Sequence, residues 1–297
     1  MPERTKTCIP SHRCSYDVFF SVWLTASKES IVGLYGGDAR FLAFFEEFAP
    51  GDDLTIKGTW RNTTDDYFRG SKDDAFQVLI DIANALEYLH DLGLEHNDIK
   101  PGNILLSKER GAILCDLGLS RQTVLSRATS GGTPWYIPPE YITVNQRGQP
   151  GDVFTLGVTW LYLDKLLSLS DAASGGFIIA HIHSRRTELQ QAARNKMASW
   201  LAKVEAAKVQ LEPSRTEAFI IRDMLSPRTT IRPTAAELVK RLNDELYRRN
   251  HRPQVKEKTA DRVAGREKKG ESQKSIDYGS TTEENESIEW VPRSPGQ

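Results

Sequence analysis

At 297 residues, with 27% charged and 39% hydrophobic side chains, the chain has the composition of a soluble globular protein and room for one two-lobed domain or two small ones. Its net charge of −1 supplies no strong field for nucleic acid or an anionic membrane, and no apolar run approaches the ~20 residues of a membrane span. The opening MPERTKTCIPSHRC lacks the apolar core of a signal peptide, and Cys8, Cys14 and Cys115 are too few and too badly spaced for a zinc site or a disulfide framework. A reducing intracellular compartment, cytoplasmic or nuclear, is the expectation.

In chain order, Ser30–Leu34 and Arg40–Phe48 are rich in β-formers and predict two strands split by a Gly36-Gly37 turn. Residues 71–91 predict a long helix, because Phe76, Leu79, Ile80, Ala83 and Leu86 recur on one face and Gly93 follows as a C-cap. A short apolar strand, AILC, leads into Asp116 and the softened turn at Gly118. Val153–Leu163 is apolar nearly all round, as a helix buried on every face should be, with Asp152 at its start. Thr187–Gln210 predicts an amphipathic helix, and Ala235–Arg248 predicts the last one. Beyond Asn250 the material changes: residues 252–274 hold eight Lys or Arg among four acids, and 277–289 hold five acids and no base. So few apolar residues cannot offset the entropy of ordering, so the tail at 250–297 is expected to be disordered.

Three stations carry the chemistry. In LEHNDIKPGNILL (94–106), His96, Asp98, Lys100 and Asn103 stand at the spacing H-x-D-x-K-x-x-N. Eighteen residues after Asp98 comes Asp116 in AILCDLGLS, followed by GGTPWYIPPEY with Gly132, Thr133, Tyr136, Pro139 and Glu140. In order and spacing these resemble the catalytic loop, the D-F-G element and the A-P-E end of the activation segment of eukaryotic protein kinases. Leu117 stands for the Phe of D-F-G and Pro138 for the Ala before P-E. Asp152 resembles the buried helix Asp that holds the catalytic-loop backbone, and Arg232 the Arg that pairs with the Glu of A-P-E, here Glu140.

The resemblance implies an α+β, two-lobed kinase-like fold with an incomplete small β-containing lobe and a large, mainly helical lobe. Residues 1–48 correspond to a small-lobe remnant, 49–53 to the hinge and 54–249 to the large lobe, enlarged around 165–215 where substrates or regulators often dock. It also implies ATP and Mg2+ as cofactors and proteins as substrates, with 165–215 or the tail as candidate regulatory surfaces. Asp98 would orient the attacking hydroxyl and take its proton, Lys100 would meet the transferred phosphate, and Thr133 would bridge the two. Asn103 and Asp116 would hold the metal, and the backbone of Glu47, Phe48 and Ala49 would face the adenine. His96, Gly118, Glu140, Asp152 and Arg232 would be structural. Lys100 two residues after the base is a mark of the serine/threonine-specific class.

The sequence departs from that pattern in two places. It contains no G-x-G-x-x-G and no convincing strand Lys; Lys6 lies in no apolar strand, and the stretch at 16–26 offers only Asp17 where a helix Glu belongs. The small lobe is therefore expected to be truncated, and the competing reading is a pseudokinase that serves as a binding scaffold. A small-molecule phosphotransferase is a remote third, disfavoured by Lys100, the G-T-P segment and the Asp152/Arg232 pair. Asn97 replaces the Arg of H-R-D, so a phosphate on Ser120, Thr123, Ser126, Thr129 or Ser130 loses its usual receptor.

Overall fold

The computed structural model describes residues 29–38, 40, 43–123, 131–145, 147–169 and 176–251. The expectations for Lys6, Asp17, Ser126, Thr129, Ser130 and the tail after residue 251 lie outside them. The small lobe contributes an antiparallel hairpin, β1 (Leu34–Asp38) and β2 (Ala43–Glu46), with a register shift between Leu34 and Gly36. This corrects the expected strand at 30–34 and the expected turn at Gly36-Gly37. Both glycines lie inside β1, and the reversal starts at Asp38, whose carboxylate accepts the Arg40 amide at 2.9 Å, as Asx turns do. Ile31 runs extended but bridges Leu114 in parallel, and Val32 packs with Ala49 and Ile113.

After the hairpin comes β3 (Asp52–Asp53), the edge of an antiparallel sheet ordered β3-β5-β6, with β5 at Ile104–Ser107 and β6 at Gly111–Leu114. Helix α1 (Lys72–Asp91) starts at Ser71 in a capping box: Ser71 Oγ accepts the Asp74 amide at 3.0 Å, and Asp74 Oδ2 accepts the Ser71 amide at 2.8 Å. Phe76, Leu79, Ile80, Ala83 and Leu86 are all buried, and Gly93 sits just beyond the end at φ 69°. A short antiparallel pair, β4 (Leu94–Glu95) with β7 (Arg121–Gln122), follows.

Helix α2 (Tyr141–Val144) is a single turn, and α3 (Gly148–Leu163) is the axis of the lobe. Every residue of α3 from Gly151 to Leu163 is buried, so its polar members must be satisfied internally. Thr155 and Thr159 donate to backbone carbonyls one turn earlier, and Tyr162 donates to Leu54 O at 2.9 Å. The helix starts at Gly148 rather than at Asp152, so Asp152 is no cap; it projects from the second turn. Helix α4 (Thr187–Val209) buries Ala193, Met197, Trp200, Val204 and Ala207, the alternating 4-3 spacing of one helix face. Helices α5 (Thr216–Met224) and α6 (Ala235–Asn250) complete the core; α6 packs on α1, with the Arg249 guanidinium 3.6 Å from the Phe76 ring centroid.

Candidate active site

The loop between β4 and β5 is held from below by one carboxylate. Asp152, buried in α3, accepts the His96 amide and the Asn97 amide, each at 2.8 Å, and lies 3.1 Å from His90 Nε2 at the end of α1. Burial alone would raise its pKa, but the His90 contact and the amide bonds outweigh it and leave the carboxyl below its ordinary value. His96 then passes the constraint on. Its Nδ1 accepts the Asp98 amide at 3.2 Å, which leaves Nε2–H to donate to Cys115 O at 3.3 Å. Cys115 also donates its amide to Asn103 O at 3.0 Å, so the residue before Asp116 is tied to both ends of the loop.

Four of the expected site residues meet in one hydrogen-bonded group. Lys100 Nζ lies 2.6 Å from Asp98 Oδ2 and 2.8 Å from Thr133 Oγ1, and Thr133 Oγ1 lies 2.9 Å from Asp98 Oδ1. Asn103 donates from Nδ2 to Asp98 O at 2.9 Å and to Asp98 Oδ2 at 3.1 Å. With its nitrogen turned inward, Asn103 presents an amide oxygen on the other side. Asp116, at φ 62°, accepts the Gly118 amide on Oδ1 at 3.2 Å and keeps its second oxygen without a partner among the described residues. An amide oxygen and a carboxylate form a hard-oxygen donor set, so these residues fit Mg2+. Leu117 is buried in the main core.

Just after β2, Glu47 Oε2 accepts the Gly33 amide at 3.0 Å while Oε1 meets the Arg110 guanidinium. The Glu47 amide donates to Gly33 O and the Ala49 amide to Glu47 O, both within the chain. Ala49 is buried and Phe48 is 74% exposed. Burial and the neighbouring Asp116 carboxylate raise the pKa of Glu46.

The segment after Thr133 rests on a second apolar cluster of Ile137, Tyr141, Phe177, Ile179, Ile182, Ala193 and Met197, so α4 of the enlarged region supports it. Its end is fixed by Glu140, whose two oxygens meet Arg232 Nη1 and Nη2 at 2.8 Å each.

Sequence reasoning missed His90, Glu95 and Arg147. Glu95 is 4% exposed beside Asp152, and burial together with that like charge raises its pKa. Arg147, immediately before α3, donates to the backbone of both the catalytic loop and the activation segment. Isolated charges at element ends carry no periodicity, so only the fold reveals them. Of the candidate phosphorylation sites, Ser120 is buried and Thr123 Oγ1 lies 3.1 Å from Gly93 O.

A protein kinase domain family model matches residues 24–242. Calcium/calmodulin-regulated receptor-like kinase 2 of Arabidopsis thaliana is 38% identical over 96 residues, which is 31% of this chain and 22% of that protein. The cAMP-dependent protein kinase catalytic subunit PRKX of Mus musculus is 36% identical over 125 residues, 41% of this chain and 33% of that protein. The calcium/calmodulin-dependent protein kinase kinase cmkC of Emericella nidulans is 27% identical over 175 residues, 54% of this chain and 33% of that protein. The chain thus spans between about a fifth and a third of these relatives' lengths. The family match covers both the loop gripped by Asp152 and the segment closed by Arg232, and the chain belongs to the eukaryotic protein kinase superfamily.

Proposed function

We propose that this chain is the catalytic part of a protein serine/threonine kinase that transfers the γ-phosphoryl group of ATP to a protein hydroxyl. The observation that carries this reading is the Asp98–Lys100–Thr133 triangle, with every edge between 2.6 and 2.9 Å. A carboxylate, an ammonium and a hydroxyl this close serve one reacting centre. Asp98 orients the substrate hydroxyl and takes its proton as the new O–P bond forms. Lys100 neutralises the transferred phosphoryl oxygens while the bond to the ADP oxygen breaks. Thr133 holds both groups in register and closes the substrate side. Asn103 and Asp116 would hold Mg2+, which when bound would offset the charge on the phosphate oxygens. The backbone of Glu47, Phe48 and Ala49 would receive the adenine, which requires the Ala49 amide to leave Glu47 O. Residues 1–48 belong to the small lobe, 49–53 to the hinge and 54–249 to the large lobe, with 165–215 as a docking region for substrates or a regulator.

The second reading, a pseudokinase that works as a binding scaffold, is favoured by one feature: the sequence has no G-x-G-x-x-G and no convincing candidate for the strand Lys that would cradle the phosphates. No helix among the described residues is long and apolar enough to cross a membrane. The test is phosphoryl transfer from Mg·ATP to serine, threonine and tyrosine peptides. Very slow or undetectable transfer is expected from the 297-residue chain. A form that adds a Gly-rich loop and strand Lys should phosphorylate serine and threonine. Inactivity of that completed form would favour the scaffold.

A further inference from the structure

Arg147 is a buried cation that the roles above leave unused. It is 7% exposed, no carboxylate lies within ion-pair distance of it among the described residues, and burial pulls its pKa below the ordinary value. A cation is costly to desolvate unless its donors are well satisfied. Here two of them meet carbonyls: Nη1 donates to Asn97 O at 2.7 Å and Nη2 donates to Gly131 O. The ring of Tyr141 lies 5.2 Å from the guanidinium carbon and supplies a third, weaker contact.

Those two carbonyls belong to the two strands of chain that must be aligned at the site. Asn97 immediately precedes Asp98, and Gly131 stands two residues before Thr133. Asn97 is in the left-handed region at φ 67°, which few residues other than glycine adopt and which asparagine tolerates better than most. That conformation is held at both polar ends by α3 and its preceding residue: Asp152 takes the Asn97 N–H and Arg147 takes its C=O. Gly132, at φ 111°, completes the fit. A Cβ there would stand 2.6 Å from Arg147 Nη1, so the guanidinium lies directly on the activation-segment backbone.

The arrangement also explains how the loop is held with Asn97 in place of an arginine. The Asn97 side chain donates to Leu119 O at 3.4 Å, also meets the Glu95 carboxylate, and presents no cation. Arg147 links the catalytic loop to the activation segment from inside the lobe. Next to it, the Glu95 carboxylate lies 3.9 Å from where a Cβ on Gly148 would sit. A phosphate approaching this position would meet a cation with its terminal nitrogens already engaged and a carboxylate of like charge.

We propose that Arg147 is a positioning residue: it clamps the catalytic loop to the activation segment through their backbone carbonyls, so that Asp98 and Thr133 stay in register without a phosphorylated loop. The consequence for catalysis rests on reading Asp98 as the base; the clamp itself rests on geometry alone.

The test is amide hydrogen exchange on the phosphatase-treated full chain, comparing wild type with Arg147→Met and Arg147→Lys. In Arg147→Met, exchange in peptides covering 94–100 and 131–137 should accelerate by about tenfold or more, while α1 and α6 keep wild-type protection. Arg147→Lys retains the charge but lacks the planar fork that spans two carbonyls, so it should show the same local loss in at least one of the two segments. Should Arg147→Met fail to fold, the lysine variant carries the test alone. In a form that transfers phosphate, kcat should fall with KM for ATP unchanged. Unaltered exchange at both segments would overturn the proposal, and so would acceleration spread evenly through α1 and α6. It would also be overturned if wild type lost protection at 131–137 on phosphatase treatment. An inactive wild-type chain with the local response would support the clamp and count only against phosphoryl transfer.

Discussion

Arg232→Ala is expected to lower the free energy of unfolding by about 3–5 kcal/mol, the range for breaking a buried pair by removing one partner. The Arg232 side chain is 0% exposed and Glu140 is 12% exposed, so the surviving carboxylate would be stranded with little water to solvate it. The loss reaches beyond the pair. Arg232 Nε donates to Ser226 O at 2.8 Å, Nη1 donates to Pro150 O at 3.0 Å, and the guanidinium carbon lies 4.8 Å from the Phe154 ring centroid. One side chain therefore ties the end of the activation segment to α3 and to the loop before α6. Urea denaturation measures the effect directly. Replacing both partners together, Glu140→Met with Arg232→Met, should cost much less than the single change, because no unpaired charge is left. A midpoint for Arg232→Ala indistinguishable from wild type would show that the pair carries no such weight.

The second large effect concerns rate. In a form that carries a complete small lobe, Asp98→Asn should lower kcat by about 10²–10⁴-fold, the usual contribution of a positioned general base. The amide keeps the shape of the carboxylate, and Asp98 O still accepts from Asn103 whatever the side chain is, so the loop should remain folded. What disappears is the acceptor for the hydroxyl proton and the negative charge opposite Lys100, 2.6 Å away. Nucleotide affinity should change little, since Asn103 and Asp116 are retained. Steady-state phosphorylation of a serine peptide reads both quantities, and a variant that kept the wild-type kcat would remove Asp98 from the chemistry.

Much of the large lobe was legible because its signals are local. Phe76, Leu79, Ile80, Ala83 and Leu86 announce α1 by their spacing, and the nearly all-round apolar run after Asp152 announces a fully buried helix. The extra turn of that helix was not legible: Gly148, Gln149, Pro150 and Gly151 carry no apolar period, and tertiary packing makes them helical. In the small lobe, Gly36-Gly37 carries the usual composition of a turn, yet both sit in β1 while Asp38 supplies the turn chemistry. The catalytic-loop residues were legible as a spaced set. Of their supports, Asp152 was legible, but His90 and Arg147 were not. His90, 62 residues from Asp152, and Arg147, 50 residues from Asn97, act only across the fold.

The central claim, that Asp116 and Asn103 complete a magnesium-nucleotide site beside Asp98, is tested most directly by calorimetric titration of the 297-residue chain with ATP. The titration would be run with magnesium and with excess chelator, on wild type and on Asp116→Ala. The account predicts weak binding that requires magnesium and is lost in Asp116→Ala, because the carboxylate is the main charged ligand the metal has there. Binding of equal strength in chelator, or unchanged by Asp116→Ala, would contradict it.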